Sequence, residues 1–238
     1  MKIPTKRWRR QYSLGRAIAR NATFFTTTVF AMIFVWFASN ASIAADDRPV
    51  ILFIGTSLTA GYGLPSQEAF PSLIQKEVDA AGLNFRVVNA GVSGDTSAGG
   101  LRRIDWLLQS PVSVLVLELG ANDMLRGLDP DAMRQNLTKI IERTRATNPT
   151  AKLLVAGMRA APNLGSTYIQ KFESTYTDLA SQYAAQLIPF LLEDVAARPG
   201  LNQVDGIHPT AEGHKLIAKR VWGVLQGMLR QTVVPPQL

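Results

Sequence analysis

Asp205 and His208 lie three residues apart in the stretch Asp-Gly-Ile-His-Pro, and the chain contains only two histidines. This spacing allows the carboxylate to hold one imidazole nitrogen while the other nitrogen faces outward, which is the arrangement that a general base needs. Ser57 lies at a glycine turn two residues beyond a buried apolar stretch, so its hydroxyl can be presented at the end of a strand. The sequence therefore offers a candidate general base and a hydroxyl that a base can activate.

Two further loops carry groups that can donate hydrogen bonds to a developing negative charge. Gly94 lies among small residues, where a backbone N–H can approach a ligand closely. Asn122 follows a long apolar stretch and can direct its side-chain amide into a cleft. Taken singly, each residue has a structural explanation, because Ser, Gly and Asn also form caps and turns. Such explanations are less convincing for the whole set, because all these groups follow apolar stretches that are predicted below to be strands of one sheet.

Other chemistries that use similar residues fit these loops less well. The glycines of residues 55–61 do not have the G-x-G-x-x-G spacing of dinucleotide sites. The loop also differs from the G-x-S-x-G pattern of α/β-hydrolases, because position 59 is Thr. A metal site built from Asp205, His208 and His214 is an alternative, but the chain has no third histidine and no cysteine. We therefore expect no metal and no other cofactor.

The elements that must position these loops follow from the alternation of apolar and amphipathic stretches. Strands are predicted at 50–54, 85–89, 112–119, 152–158 and 187–192, and helices at 67–81, 99–108, 131–147, 168–185 and 210–229. Such alternation with short connections predicts an α/β fold with a parallel sheet covered by helices on both faces. In such sheets, ligands bind outside the carboxyl ends of the strands. The site is therefore expected in the loops after Ile54, Asn89, Leu119, Met158 and Leu192.

The first 45 residues have the features of a targeting segment. A basic stretch is followed by an apolar core at 29–38 and by the small residues Ala41-Ser42-Ile43-Ala44-Ala45. This order is typical of a secretory signal peptide, with cleavage expected near Ala44 and Ala45 and a periplasmic or secreted product. The alternative is an uncleaved inner-membrane anchor over 22–38, although its four threonines make that span marginal for a bilayer. The domain is predicted to occupy 46–232, with a short tail at 233–238.

The positive charge of the chain also lies in this segment. Seven of the 25 Lys and Arg residues precede Asp46, which leaves 18 of them against 18 Asp and Glu residues. The remainder is formally neutral, so the overall charge of +7 gives no reason to expect a nucleic-acid partner.

The loop motifs, taken together, resemble the four blocks of SGNH (GDSL-like) hydrolases. The blocks are Gly55-Thr56-Ser57-Leu58, Ser93-Gly94-Asp95-Thr96, Gly120-Ala121-Asn122-Asp123 and Asp205-Gly206-Ile207-His208-Pro209. Their order and spacing are similar to those of the family from about residue 50 to 225. The stretch from Glu118 to Gly127 further resembles the bacterial thioesterase I/lysophospholipase/arylesterase subfamily. The resemblance implies a flavodoxin-like three-layer α/β/α sandwich with a five-stranded parallel sheet.

The resemblance also implies the role of each residue. Ser57 would be the nucleophile, His208 the general base and then acid, and Asp205 its orienting partner. The oxyanion hole would comprise the backbone N–H groups of Ser57 and Gly94 and the Asn122 side chain. One departure is visible, because the family's usual Asp before the serine is Thr56 here. We expect altered support of this loop rather than loss of activity.

The substrate is less closely specified than the reaction. The resemblance implies a small-molecule acyl ester or thioester, transient lipid contact and a monomeric enzyme. An acyl groove is expected along two apolar loops, at Met124, Leu125, Leu128, Pro162 and Asn163. Two alternatives stay open: a carbohydrate O-deacetylase with the same fold, and a catalytically silent envelope binding protein.

Overall fold

The computed structural model describes residues 46–233, which contain a single five-stranded sheet. All neighbouring strands are parallel, and their spatial order is β2-β1-β3-β4-β5. The strands are β1 (Val50–Gly55), β2 (Arg86–Gly91), β3 (Val112–Glu118), β4 (Lys152–Ala156) and β5 (Gln186–Ile188). This is the five-stranded parallel sheet that the sequence predicts, with the strand order of flavodoxin-like folds.

Helices cover the sheet in two groups. They are α1 (Ser57–Ala60), α2 (Phe70–Ala80), α3 (Ser97–Leu107), α4 (Ala121–Leu125), α5 (Pro130–Thr147), α6 (Ser166–Gln182) and α7 (Ala211–Val233). Helix α2 packs against α7, whereas α5 packs against both α3 and α6. The sheet between them is apolar, and every residue of β1 is buried, as expected for a parallel sheet covered on both faces.

The order of the strands determines where a site can form. Strand β3 pairs with β1 although β2 lies between them in the sequence, so the chain reverses its direction of winding between β1 and β3. The loops that leave β1 and β3 therefore diverge and open a crevice at the carboxyl edge of the sheet. Ser57 and Asn122 follow these two strands.

Several element ends differ from the sequence prediction. Strands β4 and β5 end at Ala156 and Ile188, earlier than predicted, because the chain turns away at the next residue of each. The Gly157 N–H donates to the Ile188 carbonyl, and the Leu191 N–H donates to the Gly157 carbonyl. These bonds replace further strand pairing and bring the two loops together at the sheet edge.

The predicted signal peptide at 1–45 lies outside the described residues, and so does the predicted tail apart from Val233, which ends α7. Within the described range, no helix combines the length and apolar character that crossing a membrane requires.

Candidate active site

Ser57 lies on a sharp strand-to-helix turn at the carboxyl edge of the sheet. It is the first residue of α1, directly after β1 and its N-cap residue Thr56. The Thr56 hydroxyl accepts the Leu58 N–H, and the Gly61 N–H donates back to the Ser57 carbonyl. Gly61 has a φ of +76°, a conformation that glycine adopts without steric cost. The turn is therefore closed within seven residues, and Ser57 projects from it into the crevice.

The structure brings Ser57 together with the predicted Asp–His pair. His208 Nε2 lies 2.9 Å from Ser57 Oγ, and His208 Nδ1 lies 2.6 Å from Asp205 Oδ2. The other carboxylate oxygen, Asp205 Oδ1, accepts the backbone N–H groups of Ile207 and His208. The short loop thus orients the carboxylate, which in turn orients the imidazole.

The same hydrogen bonds determine the charge of Asp205. They lower the pKa of its carboxyl to about 2, and the bond from His208 is the largest cause. Asp205 is therefore ionised across the neutral range, where it favours the Nδ1–H tautomer of His208 and leaves Nε2 to accept a proton.

The two other predicted donors lie beside Ser57. Asn122 is in α4, and its Nδ2 donates one hydrogen to the Asp95 carbonyl over 2.8 Å. A second amide hydrogen remains for a ligand, because a carboxamide nitrogen carries two. Gly94 has a φ of +80°, and a Cβ there would meet only Arg126 Nη2 at 3.5 Å. Backbone conformation rather than lack of space therefore favours glycine at this position.

These residues open onto an apolar cavity of about 490 Å³. Its floor and walls comprise Ser57, Leu58, Tyr62, Ser93, Gly94, Ala121, Asn122, Met124, Leu125, Met158, Arg159, Phe190, Leu192, Ile207, His208 and Thr56. Most of these side chains carry no charge, and Arg159 is paired with Glu193 at 3.1 Å. The cavity can therefore accept an apolar group whose reactive end meets Ser57.

Only part of the predicted acyl groove borders this cavity. Met124 and Leu125 are in its wall, whereas Leu128, Pro162 and Asn163 are not. The Leu128 carbonyl instead accepts the Tyr168 hydroxyl, and residues Pro162–Leu164 form a 3₁₀ helix. Sequence reasoning missed Tyr62, Phe190 and Ile207 as cavity residues. Phe190 falls within the predicted strand 187–192 and Ile207 within the Asp-Gly-Ile-His-Pro motif, so the local pattern indicates packing or motif geometry rather than contact with a substrate.

A buried acid that sequence reasoning also missed lies beneath the serine turn. Glu118 ends β3, is 1% exposed, and accepts hydrogen bonds from Thr56 and Thr59. Burial raises the pKa of Glu118 to about 7, although these hydrogen bonds oppose the shift. Thr56 thus has two functions in this loop, because it caps α1 and binds Glu118.

His214, considered above as a metal ligand, has a different environment. It is 1% exposed in α7, and its Nδ1 accepts the Phe70 N–H over 3.1 Å. Burial lowers the pKa of His214 to about 4, so the ring is neutral at neutral pH. Within the described residues, no cluster of three or more His, Cys, Asp or Glu side chains could hold a metal ion.

Known proteins share both this fold and this sequence pattern. Residues 53–216 match the GDSL-like Lipase/Acylhydrolase family. The chain is 40% identical to "Esterase TesA" of Pseudomonas aeruginosa over 180 residues, which cover 75% of this chain and 89% of that protein. It is 39% identical to "Thioesterase 1/protease 1/lysophospholipase L1" of Escherichia coli over 177 residues, covering 74% and 81%.

A solved structure agrees with these relatives. The crystal structure of TesA superposes with a TM-score of 0.71 at 39% identity, and the match covers 75% of this chain and 99% of that one. The chain therefore belongs to the GDSL-like lipase/acylhydrolase family, and it is an enzyme that hydrolyses ester bonds of small molecules.

Proposed function

We propose that Ser57, His208 and Asp205 act as a catalytic triad in a two-step acyl transfer to water. The observation that carries this proposal is the hydrogen-bonded series from Asp205 through His208 to Ser57 Oγ at the mouth of an apolar cavity. His208 Nε2 removes the hydroxyl proton while Ser57 Oγ attacks the carbonyl carbon of the substrate. The protonated imidazole then donates that proton to the leaving alcohol or thiol, which gives an acyl-enzyme.

The second step reverses the roles of the same groups. His208 removes a proton from water, the hydroxide attacks the acyl-enzyme, and Ser57 Oγ leaves with a proton from His208. In each step the carbonyl oxygen becomes an oxyanion. The Ser57 and Gly94 N–H groups and the Asn122 amide stabilise that charge, and these donors are oriented before the reaction begins.

The shape and polarity of the cavity support an acyl substrate. Met124, Leu125, Met158 and Phe190 surround a space of about 490 Å³ next to Ser57. An acyl chain buries its apolar surface there, whereas an acetyl group on a sugar would leave most of the space unfilled. We therefore propose that the substrates are esters or thioesters of acyl chains longer than acetyl; the names of the relatives, esterase and thioesterase, support the two bond types.

The triad proposal is tested by Ser57→Ala with p-nitrophenyl butyrate as substrate. Turnover should fall to the level of background hydrolysis while the unfolding midpoint stays unchanged, since one hydroxyl is removed from a half-buried side chain. Ser110→Ala is the matched control, because Ser110 is exposed and does not border the cavity. Normal turnover by Ser57→Ala would reject the triad and leave the binding-protein alternative open.

A series of p-nitrophenyl esters from acetyl to dodecanoyl tests the acyl substrate. The value of kcat/KM should rise from acetyl to medium chain lengths as CH₂ groups fill the cavity, each contributing up to about 0.8 kcal/mol. Strict preference for acetyl would favour the carbohydrate O-deacetylase instead.

We further propose that the enzyme contacts lipid at the mouth of this cavity. Tyr62, Leu125 and Ile207 border the cavity and are each more than half exposed, and Val204 beside Asp205 is fully exposed. Exposed apolar side chains gathered around one opening are typical of surfaces that contact membranes or other apolar partners. Export through the segment 1–45, with cleavage near Ala44 and Ala45, would place this surface outside the cytoplasm.

A further inference from the structure

Both ends of the turn that carries Ser57 are bound to a single buried carboxylate. We propose that Glu118 is a positioning residue that acts through Thr56 and Thr59 to hold Ser57 against His208 and Asn122. Glu118 does not border the cavity, so it cannot itself touch the substrate. This inference rests on the proposed role of Ser57 as the nucleophile.

The contacts of Glu118 reach the residue before Ser57 and the residue two positions after it. Glu118 Oε2 accepts the Thr56 N–H at 2.8 Å and the Thr59 N–H at 3.3 Å. The Thr59 hydroxyl donates to Oε2 at 2.7 Å, and the Thr56 hydroxyl lies 3.0 Å from Oε1. Because the backbone on either side of Ser57 is fixed, the direction of its side chain is fixed too.

The surroundings leave this carboxylate little freedom to move. Thr56, Thr59 and Glu118 are each at most 1% exposed, so water cannot replace their hydrogen bonds. A Cβ at Gly55 would lie 2.6 Å from Glu118 Oε2, so only glycine permits this close approach of β1 to the carboxylate. Residues 55–59 therefore surround a carboxylate from the neighbouring strand and bind it by hydrogen bonds.

The position of Glu118 also couples two parts of the proposed chemistry. Glu118 ends β3, and Asn122 follows four residues later in α4, the short helix after that strand. The hydrogen bonds of this carboxylate thus fix the position of the turn that carries Ser57 relative to the segment that carries Asn122. A displacement of Ser57 relative to Asn122 would destabilise the tetrahedral intermediate more than it would weaken substrate binding. Only the tetrahedral intermediate needs both residues aligned.

The neighbours of Glu118 favour its ionised form. The two backbone N–H groups can only donate, and an ionised carboxylate accepts from both of them and from both hydroxyls. Tyr176 on α6 interacts electrostatically with both Glu118 and Asp123 of α4, and Arg103 of α3 forms an ion pair with Asp95 in the loop before that helix. Arg103 also donates to the Gly55 carbonyl beside Glu118. Because burial raises the pKa of Glu118 to about 7, protonation near neutral pH would remove an acceptor from the turn.

The first test is Glu118→Gln, which preserves size and one acceptor oxygen but removes the charge. The kcat for p-nitrophenyl butyrate should fall about 10- to 100-fold with KM within about twofold, since the turn is misaligned but the cavity is intact. In the wild type, protonation of Glu118 near pH 7 should lower kcat on the acid side, and this loss should be absent from the pH profile of Glu118→Gln. Glu77→Gln, an exposed acid on α2, is the matched control and should leave both quantities unchanged.

A second pair of variants separates positioning from a fold defect. Thr59→Val removes one hydroxyl with little change in side-chain volume and should lower kcat as Glu118→Gln does. Thr59→Ser retains the hydroxyl and should have a kcat close to that of the wild type. Wild-type kcat in both Glu118→Gln and Thr59→Val would overturn the inference, as would an acid limb of kcat in Glu118→Gln that is identical to that of the wild type. If instead Ser57→Ala remains active, the proposed function itself fails, whatever the Glu118 variants show.

Discussion

Asn122 divides the two hydrogens of its amide between the protein and the proposed oxyanion. One hydrogen is bound by the Asp95 carbonyl, which fixes the side chain before substrate arrives. Replacement by Ala should therefore lower kcat about 10²- to 10³-fold with little change in KM, because the lost bond strengthens in the transition state. Steady-state kinetics with p-nitrophenyl butyrate measure both constants.

The control for this variant is Asn84→Ala, which truncates an exposed asparagine before β2. It should leave both constants unchanged. If Asn122→Ala raised KM and left kcat unchanged, Asn122 would be a substrate-binding residue rather than an oxyanion donor.

Asp205 makes a separate prediction at the same scale. Its hydrogen bonds from His208 and Ile207 lower its pKa to about 2, so it stays charged across the neutral range. Asp205→Asn keeps the shape but favours the wrong His208 tautomer, and kcat should fall about 10⁴-fold. Kinetics from pH 5 to 9 check this, and the loss should persist at every pH. A loss confined to one end of this pH range would contradict an orienting role for Asp205.

The sequence predicts some residues of the site much better than others, for a physical reason. Asp205 and His208 are only three residues apart, so their relationship can be read locally. The local sequence around Glu118 predicts only the end of an apolar strand. Its hydrogen bonds could not be predicted, because its partners Thr56 and Thr59 lie about sixty residues earlier. The cavity walls pose the same difficulty, since Phe190 and Tyr62 line the same cavity although they are far apart in the sequence.

At the scale of elements, α2 and α7 meet through a histidine that should affect stability. His214 accepts the Phe70 N–H, and its pKa is lowered from 6.5 to about 4 by burial. Between pH 6.5 and 4 the unfolded chain therefore binds more protons at this histidine than the folded chain does. The contribution of His214 to the free energy of unfolding, about 3 kcal/mol in all, is lost as pH falls through this range. Glu118 has the opposite effect over nearly the same range, because its raised pKa stabilises the fold as pH falls from 7 to 4.5.

The wild type should consequently show a nearly flat stability between pH 5 and 6.5. Urea unfolding followed by circular dichroism should show His214→Gln gaining stability on acidification and Glu118→Gln losing it, since each variant leaves the other group alone. Parallel pH slopes in all three proteins would contradict these assignments.

The elements themselves follow the sequence closely where periodicity is strong. All five strands and the five long helices form near their predicted places, because each has an apolar face long enough to recognise. The short helices α1 and α4 were not predicted, because four or five residues contain too few turns to show a period. Both begin within three residues of a strand end, and they carry Ser57 and Asn122. The least predictable elements are therefore the ones that position the proposed catalytic groups.

At the scale of the whole molecule, the charge of the chain divides into two parts. Residues 1–45 hold seven cations and no acid, whereas the remainder is formally neutral. Expressed at full length in a bacterium, the protein should be recovered outside the cytoplasm with its N-terminus near Ala45. Intact mass and N-terminal sequencing check this, with Ala44→Lys as a variant expected to block cleavage. An uncleaved chain recovered with the inner membrane would support the anchor instead.

The apolar rim around the cavity predicts contact with lipid that depends little on charge. Co-sedimentation of residues 46–238 with phosphatidylcholine vesicles should fall when Leu125 and Ile207 are both changed to Ser, and should change little with salt. The control is Trp106→Ser, because Trp106 is 69% exposed near the end of α3 and does not border the cavity. Binding only to anionic vesicles, abolished by salt, would show that charge rather than the rim is responsible.

The central claim is that Ser57 forms a covalent acyl-enzyme. The most direct test is to treat the protein with a fluorophosphonate ester, digest it and map the modified peptide by mass spectrometry. One adduct per chain is expected, on Ser57, with labelling abolished in Ser57→Ala and slowed in His208→Ala. An adduct on a different serine, or unchanged labelling of Ser57→Ala, would contradict the account.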